Sequence, residues 1–181
     1  IVRGLGWSMS EISRELHTAD FLIASLGDSL PASALPATIF VLAAFTAFST
    51  GSSWGAMGIL LPLVLPLCWA IMNSQGLAGP EGHHILYASV SGVLAGAVWG
   101  DHCSPISDTT VMSSLSAGCD HMEHVRTQLP YAMLAGAAAL FCGTVPTSLG
   151  LPWWAGMLLA AAVTALGLRL LGEPVEDYRP Q

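Results

Sequence analysis

Two carboxylates lie close together within an otherwise apolar part of the chain. Asp101 and Asp108 belong to the sequence WGDHCSPISDTT, which occupies residues 99–110. The residues on either side, 85–98 and 111–117, are mostly apolar, as expected of a segment that enters a membrane. An aspartate near the centre of a membrane-spanning helix costs about 2.5–3.5 kcal/mol on insertion scales, so such groups must face protein, water or a bound cation.

These side chains offer the oxygen ligands that hard cations prefer, a preference that sodium shares with calcium and magnesium. Loss of water and a like charge nearby both favour the protonated form of a carboxylate, so an aspartate pair could also carry a proton. One set of oxygens cannot hold sodium and a proton equally well, and the two ions would therefore compete. We expect an ion- and proton-binding site with Asp108 as principal sodium ligand and proton carrier, Asp101 as second ligand or electrostatic partner, and Ser104, Ser107, Thr109, Thr110 and His102 around them. His102 could relay protons or simply pack between helices.

The backbone around the two aspartates is predicted to leave the helical path. Pro105 has no amide hydrogen and Gly100 tolerates unusual backbone angles, so the segment 85–118 should be an interrupted helix with a half-helix end near the carboxylates. A second interruption is expected in the apolar segment 37–72, where the hydroxyls of Ser49, Thr50, Ser52 and Ser53 cluster. These hydroxyls could face the aspartates as further oxygen ligands, or they could bond back to their own helix.

Three ordered motifs resemble those of the NhaC-type sodium/proton antiporters, a family that also contains sodium-coupled malate/lactate exchangers. They are WGDHCSPISDTT at residues 99–110, FSTGSSWGAMGILLP at 48–62 and CDHMEHVRTQLPY at 119–131. The resemblance covers about residues 19–167. It implies sodium/proton exchange and pH homeostasis, and it implies that the chain is the C-terminal portion of a longer transporter whose upstream part is a partner.

Composition independently predicts an all-α polytopic membrane protein, a helical bundle with interrupted, discontinuous or re-entrant helices. Hydrophobic residues make up 53% of the chain and charged residues 9%, with a mean hydropathy of +0.63. Ordinary soluble domains carry about 25% charged residues. The net charge of −7 comes without a basic patch, so nucleic acid is not an expected partner. The expected partners are sodium ions, protons, the lipid bilayer and a second copy of the protein, and no cofactor is expected beyond the transported ions.

The order of apolar and polar stretches predicts six regions. An interfacial or re-entrant region covers 1–34, and it is followed by the interrupted segments 37–72 and 85–118. An unbroken helix over 37–72 would extend about 50 Å, against about 30 Å for the hydrocarbon core, so this segment must turn back or cross twice. Transmembrane helices are predicted at 130–145 and 153–171, and a polar tail at 172–181.

The polar stretch after residue 118 has two interpretations. Cys119, Asp120, His121 and His124 could form a transition-metal site, but a membrane-surface turn and helix start explains them more simply. Asp120 and Glu123 have the spacing of a helix capping box, although aspartate stands in place of the usual serine or threonine.

Two other activities compete with sodium/proton exchange. An exchanger of malate or lactate, coupled to sodium or protons, would need a cationic or dipolar partner for the substrate carboxylate, and the one arginine inside a predicted span, Arg169, lies near the end of that span. A helix N-terminus at either break could serve instead. An intramembrane hydrolase also uses buried carboxylates, but the chain has no HExxH motif and both aspartates lie on one segment. We therefore expect a transporter of the cell inner membrane rather than an enzyme.

The arginines predict the orientation of the last two spans. Arg126 precedes this hairpin and Arg169 and Arg179 close it, so the positive-inside rule places that side, and the C-terminus, in the cytoplasm. With the native cysteines removed, Thr127→Cys and Tyr178→Cys should react with an impermeant thiol reagent only from the cytoplasmic side. Leu149→Cys should react only from outside. Reaction of positions 127 and 178 from different sides would contradict the hairpin.

Overall fold

A computed structural model describes residues 30–172 and, before them, residues 8, 11, 12, 15–17, 21 and 24. These residues are helical or lie in turns, with no strand among them, and this confirms the predicted all-α class. Most of the region 1–34 and all but one residue of the tail 172–181 lie outside the described part of the chain, so the predictions made for them stay predictions.

The described part contains seven α-helices. They are α1 (Leu35–Thr50), α2 (Ser53–Ser74), α3 (His83–Cys103), α4 (Asp108–Ala117), α5 (His121–Ala138), α6 (Val145–Ser148) and α7 (Trp153–Leu171). Short 3₁₀ turns cover Ala32–Ala34 and Pro80–Gly82, and a π-helical segment, Ala139–Thr144, joins α5 to α6 without a break.

Four helical stretches in the described residues are long and apolar enough to cross a membrane, as expected of a multi-pass membrane protein: Ala32–Thr50, Ser53–Ser74, His121–Ser148 and Trp153–Leu170. The helix predicted for 130–145 lies within the longer stretch His121–Ser148. It begins earlier because the Asp120 carboxylate accepts hydrogen bonds from the amides of Met122 and Glu123 and so caps the first turn. Helix α3 is not among the four, since Asp101, His102 and several small residues lower its hydropathy.

Helices α1 and α2 form an antiparallel hairpin. Gly51 ends α1 in the left-handed conformation, at φ 67°, and the Ser52 hydroxyl accepts the Gly55 amide at 3.2 Å to start α2. At the far end of α2, Gln75 donates to the Leu30 carbonyl and accepts from the Ala32 amide, both at 2.9 Å. The apolar segment 37–72 therefore turns back on itself at Gly51–Ser52.

Helix α3 runs parallel to α1 at very short separation. The α1 carbonyls of Pro36, Phe40 and Ala44 lie against glycines on α3, namely Gly92, Gly96 and Gly100 in the same order. A Cβ atom added at Gly92 would come within 2.8 Å of the Pro36 oxygen, and one at Gly96 would collide with the Phe40 oxygen. Glycines every four residues allow two helix backbones to approach without intervening side chains.

The apolar core lies among α1, α2 and α3. Its fully buried side chains include Leu35, Phe40, Ile71, Met72 and Val93. Phe40 also stacks on Trp99 of α3, with ring centroids 5.5 Å apart. The core therefore fixes the position of α3, the helix that carries Asp101.

Helix α5 packs antiparallel to α3, and α7 packs antiparallel to α5. The indole Nε1 of Trp99 donates to the Ala132 carbonyl of α5 at 2.8 Å, and Gly136 leaves room for the Trp99 ring. Gly167 of α7 lies against the Leu134 side chain. Nearly all other side chains of α7 are at least partly exposed, which suits a helix that faces lipid or another part of a larger protein.

The glycine contacts predict opposite effects for two glycine-to-alanine changes. Alanine favours helix by about 1 kcal/mol over glycine, so Gly58→Ala, where a Cβ would meet nothing within 4 Å, should keep or raise the Tm of the purified full-length protein. Gly96→Ala should lower the Tm, because overpacking against a backbone carbonyl costs about 1–3 kcal/mol. A Gly96→Ala protein as stable as Gly58→Ala would contradict the close α1–α3 contact.

Candidate functional site

The predicted site lies at a break between α3 and α4. Helix α3 ends at Cys103 and α4 begins at Asp108, and the intervening residues, 104–107, are not helical. Ser104 and Ser107 are both extended, with ψ of 127° and 136°, and Ser107 caps α4 by accepting the Thr109 amide at 3.3 Å. The C-terminal end of one helix and the N-terminal end of the next therefore meet close to Asp101.

Asp101 is buried, with 4% of its surface exposed, and both of its carboxylate oxygens accept hydrogen bonds. The Ser107 hydroxyl donates to Oδ1 at 2.7 Å and the Thr109 hydroxyl donates to Oδ2 at 3.0 Å. The two hydroxyl oxygens are themselves only 2.8 Å apart. We call these three side chains the Asp101 triangle.

The Asp101 triangle has more contacts than hydroxyl protons. Its three oxygen–oxygen contacts are all within hydrogen-bond distance, but Ser107 and Thr109 supply one hydrogen each. When both hydroxyls donate to an ionised carboxylate, no hydrogen is left between the two hydroxyl oxygens. One additional positive charge, either a proton on the carboxyl group or a cation among the oxygens, would satisfy the third contact.

The other predicted ligands are divided between buried and exposed positions. Asp108, the residue expected to be the principal ligand, is exposed at the first position of α4, and His102 is also exposed. Thr110 is 3% exposed, and its hydroxyl has no hydrogen-bond partner among the described residues. Ser104 is fully buried. The structure thus brings together Asp101, Ser107 and Thr109 and leaves Asp108 outside this contact.

The break between α3 and α4 lies directly against the turn between α1 and α2. The Ser104 hydroxyl donates to the Phe48 carbonyl, near the end of α1, at 2.8 Å. A Cβ atom at Gly51 would come within 2.7 Å of the Ile106 oxygen. The two interruptions expected from the sequence therefore contact each other.

The hydroxyls of the α1–α2 turn mostly bond within their own segment. Thr50 donates to the Thr46 carbonyl at 2.8 Å, one helical turn back, and Ser52 caps α2. Ser49 is exposed and Ser53 is half-buried. For Thr50 and Ser52 the backbone interpretation describes the observed bonds, and none of these four hydroxyls is hydrogen-bonded to Asp101 in the structure.

Two further side chains contact the break, and neither is assigned to it by the sequence, which suggests His121 only as a possible transition-metal ligand. The Gln128 amide of α5 donates to the His102 carbonyl at 2.8 Å, and Nε2 of His121 lies 2.7 Å from the Pro105 carbonyl. Both belong to the polar start of α5. Their only signal in the sequence is a run of hydrogen-bonding side chains next to an apolar stretch.

The same polar start offers no transition-metal centre. No group of three histidine, cysteine, aspartate or glutamate side chains in the described residues is placed to hold a metal ion. Asp120 instead caps α5, and the Cys119 thiol lies 3.7 Å from the Ser114 carbonyl. All four cysteines of the chain are free thiols.

A cavity of about 950 Å³ lies between α3 and the π-helical segment, away from the Asp101 triangle. Its lining includes Tyr87, Ser91, Thr144 and Trp153. None of the predicted ion-binding residues lines it; the Asp101 triangle lies elsewhere, with Asp101 and Ser107 buried and Thr109 exposed.

Comparison with known proteins gives one family. Residues 2–145 match the Na+/H+ antiporter family. An uncharacterized protein of Haemophilus influenzae is 45% identical over 132 residues, which is 73% of this chain and 24% of that protein. An uncharacterized Na(+)/H(+) antiporter of the same organism is 34% identical over 59% of this chain and 21% of its own length.

A third relative is named for a different transport activity. The malate-2H(+)/Na(+)-lactate antiporter of Bacillus subtilis is 31% identical over 63% of this chain and 19% of its own length. The chain thus spans about a fifth to a quarter of the length of these relatives. No solved structure matches it.

The Ser104 bond predicts a stability effect that an exposed serine should not have. Ser104→Ala leaves the Phe48 carbonyl without its donor, and an unsatisfied buried acceptor costs about 1–3 kcal/mol. We expect a lower Tm for the full-length protein. Ser116→Ala is the control, because that exposed hydroxyl donates only to the Met112 carbonyl of its own helix. Equal Tm values for the two variants would show that the Ser104 contact is unimportant.

Proposed function

Since the chain belongs to the Na+/H+ antiporter family, we propose that it forms part of a transporter that exchanges sodium for protons at Asp101. The proposal concerns the whole transporter, of which this chain corresponds to about a quarter or less. The NhaC-type subgroup belongs to the proposal as well, on the strength of the three motifs.

The observation that carries the proposal is the proton count of the Asp101 triangle. Three short oxygen–oxygen contacts share two hydroxyl hydrogens, so the cluster lacks one positive charge when Asp101 is ionised. A proton on Asp101 would close a ring of three hydrogen bonds. A sodium ion would be held by the same oxygens after the hydroxyl hydrogens turn away. Each ion therefore excludes the other, and this mutual exclusion is the requirement for exchange.

Two features support a cation at this position. The Thr110 hydroxyl is buried and unpartnered beside Thr109, and an unsatisfied buried hydroxyl costs about 1–3 kcal/mol unless a water or an ion binds it. The C-terminal end of α3 carries partial negative charge, which favours a cation near Asp101. Interrupted helices that meet near the membrane midplane are typical of ion sites in secondary transporters.

We assign the two aspartates different roles, in the reverse of the order expected from the sequence. Burial and two hydroxyl contacts favour Asp101 as the residue that carries the exchanged ion. Exposure at the start of α4 favours Asp108 as an outer group that attracts sodium toward the site. His102, also exposed, could pass protons between water and this outer region.

Transport would follow from competition and alternating access. Sodium enters from one side, displaces the proton of Asp101 into water, and the loaded site opens to the other side. There a proton displaces sodium, so one positive charge replaces the other in each half of the cycle. The change of access would come from rocking of one group of helices against another around the site.

Family membership favours a transporter over an enzyme, and no step of this cycle makes or breaks a covalent bond other than to hydrogen. An intramembrane hydrolase finds no support in the family match. We further propose an inner-membrane location with a cytoplasmic C-terminus, a role in pH homeostasis, and assembly as a homodimer.

Exchange of a small carboxylate such as malate or lactate is the second candidate. One relative is named for this activity, and the N-terminal ends of α2 and α4 both lie where the two breaks meet. Helix N-termini bind anions through free amides and the helix dipole. Sodium/proton exchange without any effect of added malate or lactate would exclude this alternative.

The test is proton flux driven by a sodium gradient, measured with an internal pH dye in vesicles that contain the full-length protein. Asp101→Asn keeps the size of the side chain but cannot carry the exchanged proton or a full negative charge, so flux should fall at least about 100-fold. Asp108→Asn should raise the apparent Km for sodium several-fold with less effect on the maximal rate.

Asp120→Asn is the matched control, because asparagine also caps helices well and Asp120 lies outside the Asp101 triangle. It should exchange like the wild type. Near-wild-type flux through Asp101→Asn at equal expression would refute the proposed site. Complete loss of flux in Asp108→Asn alone would instead identify Asp108 as the principal ligand, as expected from the sequence.

A further inference from the structure

His121 connects two parts of the chain that flank the Asp101 triangle. Its Nε2 lies 2.7 Å from the Pro105 carbonyl in the break, and its Nδ1 lies 3.1 Å from the Ser114 hydroxyl in α4. Both ring nitrogens therefore have partners, and the partners belong to different elements. The imidazole is the first side chain of α5, a helix anchored on α3 through Trp99.

The two bonded positions enclose the hydroxyl donors of Asp101. Pro105 precedes Ser107 in the break, and Ser114 lies beyond Thr109 in α4. Of the residues between them, Ser107 and Thr109 bond to Asp101, and Ile106 lies against Gly51 of the α1–α2 turn. Without the imidazole, the start of α4 would be held against α3 chiefly by the bonds to Asp101 that an entering cation must rearrange.

The hydrogen-bond chemistry of the ring suits a permanent link. The Pro105 carbonyl only accepts, so Nε2 carries a hydrogen. The Ser114 hydroxyl can donate to a bare Nδ1 or accept from a protonated one, and it also lies 2.9 Å from the Val111 carbonyl as an alternative acceptor. Both links therefore persist in either protonation state of the ring.

We propose that His121 is a positioning residue for the ion site: it holds the break and α4 together so that the Ser107 and Thr109 oxygens stay at Asp101 while sodium and protons exchange there. This inference rests on the proposed function for its effect on transport. Its structural part, the fixing of residues 104–110, does not depend on which ion is carried.

The structural part is tested by hydrogen–deuterium exchange of the full-length protein in lipid nanodiscs. His121→Ala should speed amide exchange in peptides that cover residues 104–110 by about five- to thirtyfold, the factor expected for the loss of one to two net hydrogen bonds. Ser114→Ala removes only the link to α4 and should give a smaller increase. His121→Gln retains an amide donor for the Pro105 carbonyl and should restore part of the protection.

The functional part is tested in vesicles with sodium-driven proton flux. His121→Ala should raise the apparent Km for sodium several-fold while the maximal rate changes less, and His121→Gln should lie between it and the wild type. Met122→Ala is the control, because Met122 follows His121 on the same helix and is 61% exposed. It should leave both readouts near the wild type.

Each combination of results has one meaning. Faster amide exchange at residues 104–110 together with a raised apparent Km for sodium in His121→Ala supports the proposal. Unchanged amide exchange in His121→Ala, or equal effects of Met122→Ala, overturns it. If His121→Ala does not fold, the proposal is overturned by wild-type amide exchange in both Ser114→Ala and His121→Gln. If amide exchange is faster in His121→Ala but the wild-type protein transports no sodium, the positioning role stands and the proposed function is refuted.

Discussion

The whole arrangement depends on supplying hydrogen bonds to the backbone where the helical path is broken between α3 and α4. In a membrane interior each unpaired backbone group costs several kcal/mol, so a break is stable only if other groups replace the lost helical bonds. Here two of the replacements are side chains of α5, which is distant in sequence: Gln128 donates to the His102 carbonyl, and His121 bonds to the Pro105 carbonyl. The break in turn supports its neighbour, because the Ser104 hydroxyl donates to the Phe48 carbonyl of α1. The side chains that support this backbone are therefore different from those that surround Asp101.

Local signals were enough to predict the all-α membrane class and the region of the site. The sequence 99–110 combines charge, a proline and glycine within apolar surroundings, and this combination disfavours an unbroken membrane-spanning helix. The regular spacing of Ser89, Gly92 and Gly96 likewise predicts close packing of α3 against a neighbour. The neighbour itself, α1 in parallel orientation, could not be deduced, because spacing on one helix does not identify the surface that it meets.

The difference in burial between the two aspartates also lay beyond the sequence. Asp101 and Asp108 are chemically identical, and which of them is buried depends on how α4 turns away from α3. That turn is fixed by contacts from the start of α5, where His121 bonds to Pro105 and Ser114. Such contacts join residues far apart in sequence. Hydropathy and helix-breaking residues report only on their own neighbourhood, so they locate a polar break without revealing which of its side chains faces inward.

The parallel contact between α1 and α3 has a mechanical consequence. Backbone carbonyls of Pro36, Phe40 and Ala44 rest on glycines, so the two helices have no layer of flexible side chains between them over which they could slide. A shift by one residue would bring bulkier residues such as Val93 onto the same carbonyls. The pair must therefore resist shear and move as a single rigid body, with the bonded tips Phe48 and Ser104 at a constant separation. Any large relative displacement has to be taken up at softer contacts, such as the side-chain packing between α5 and α7.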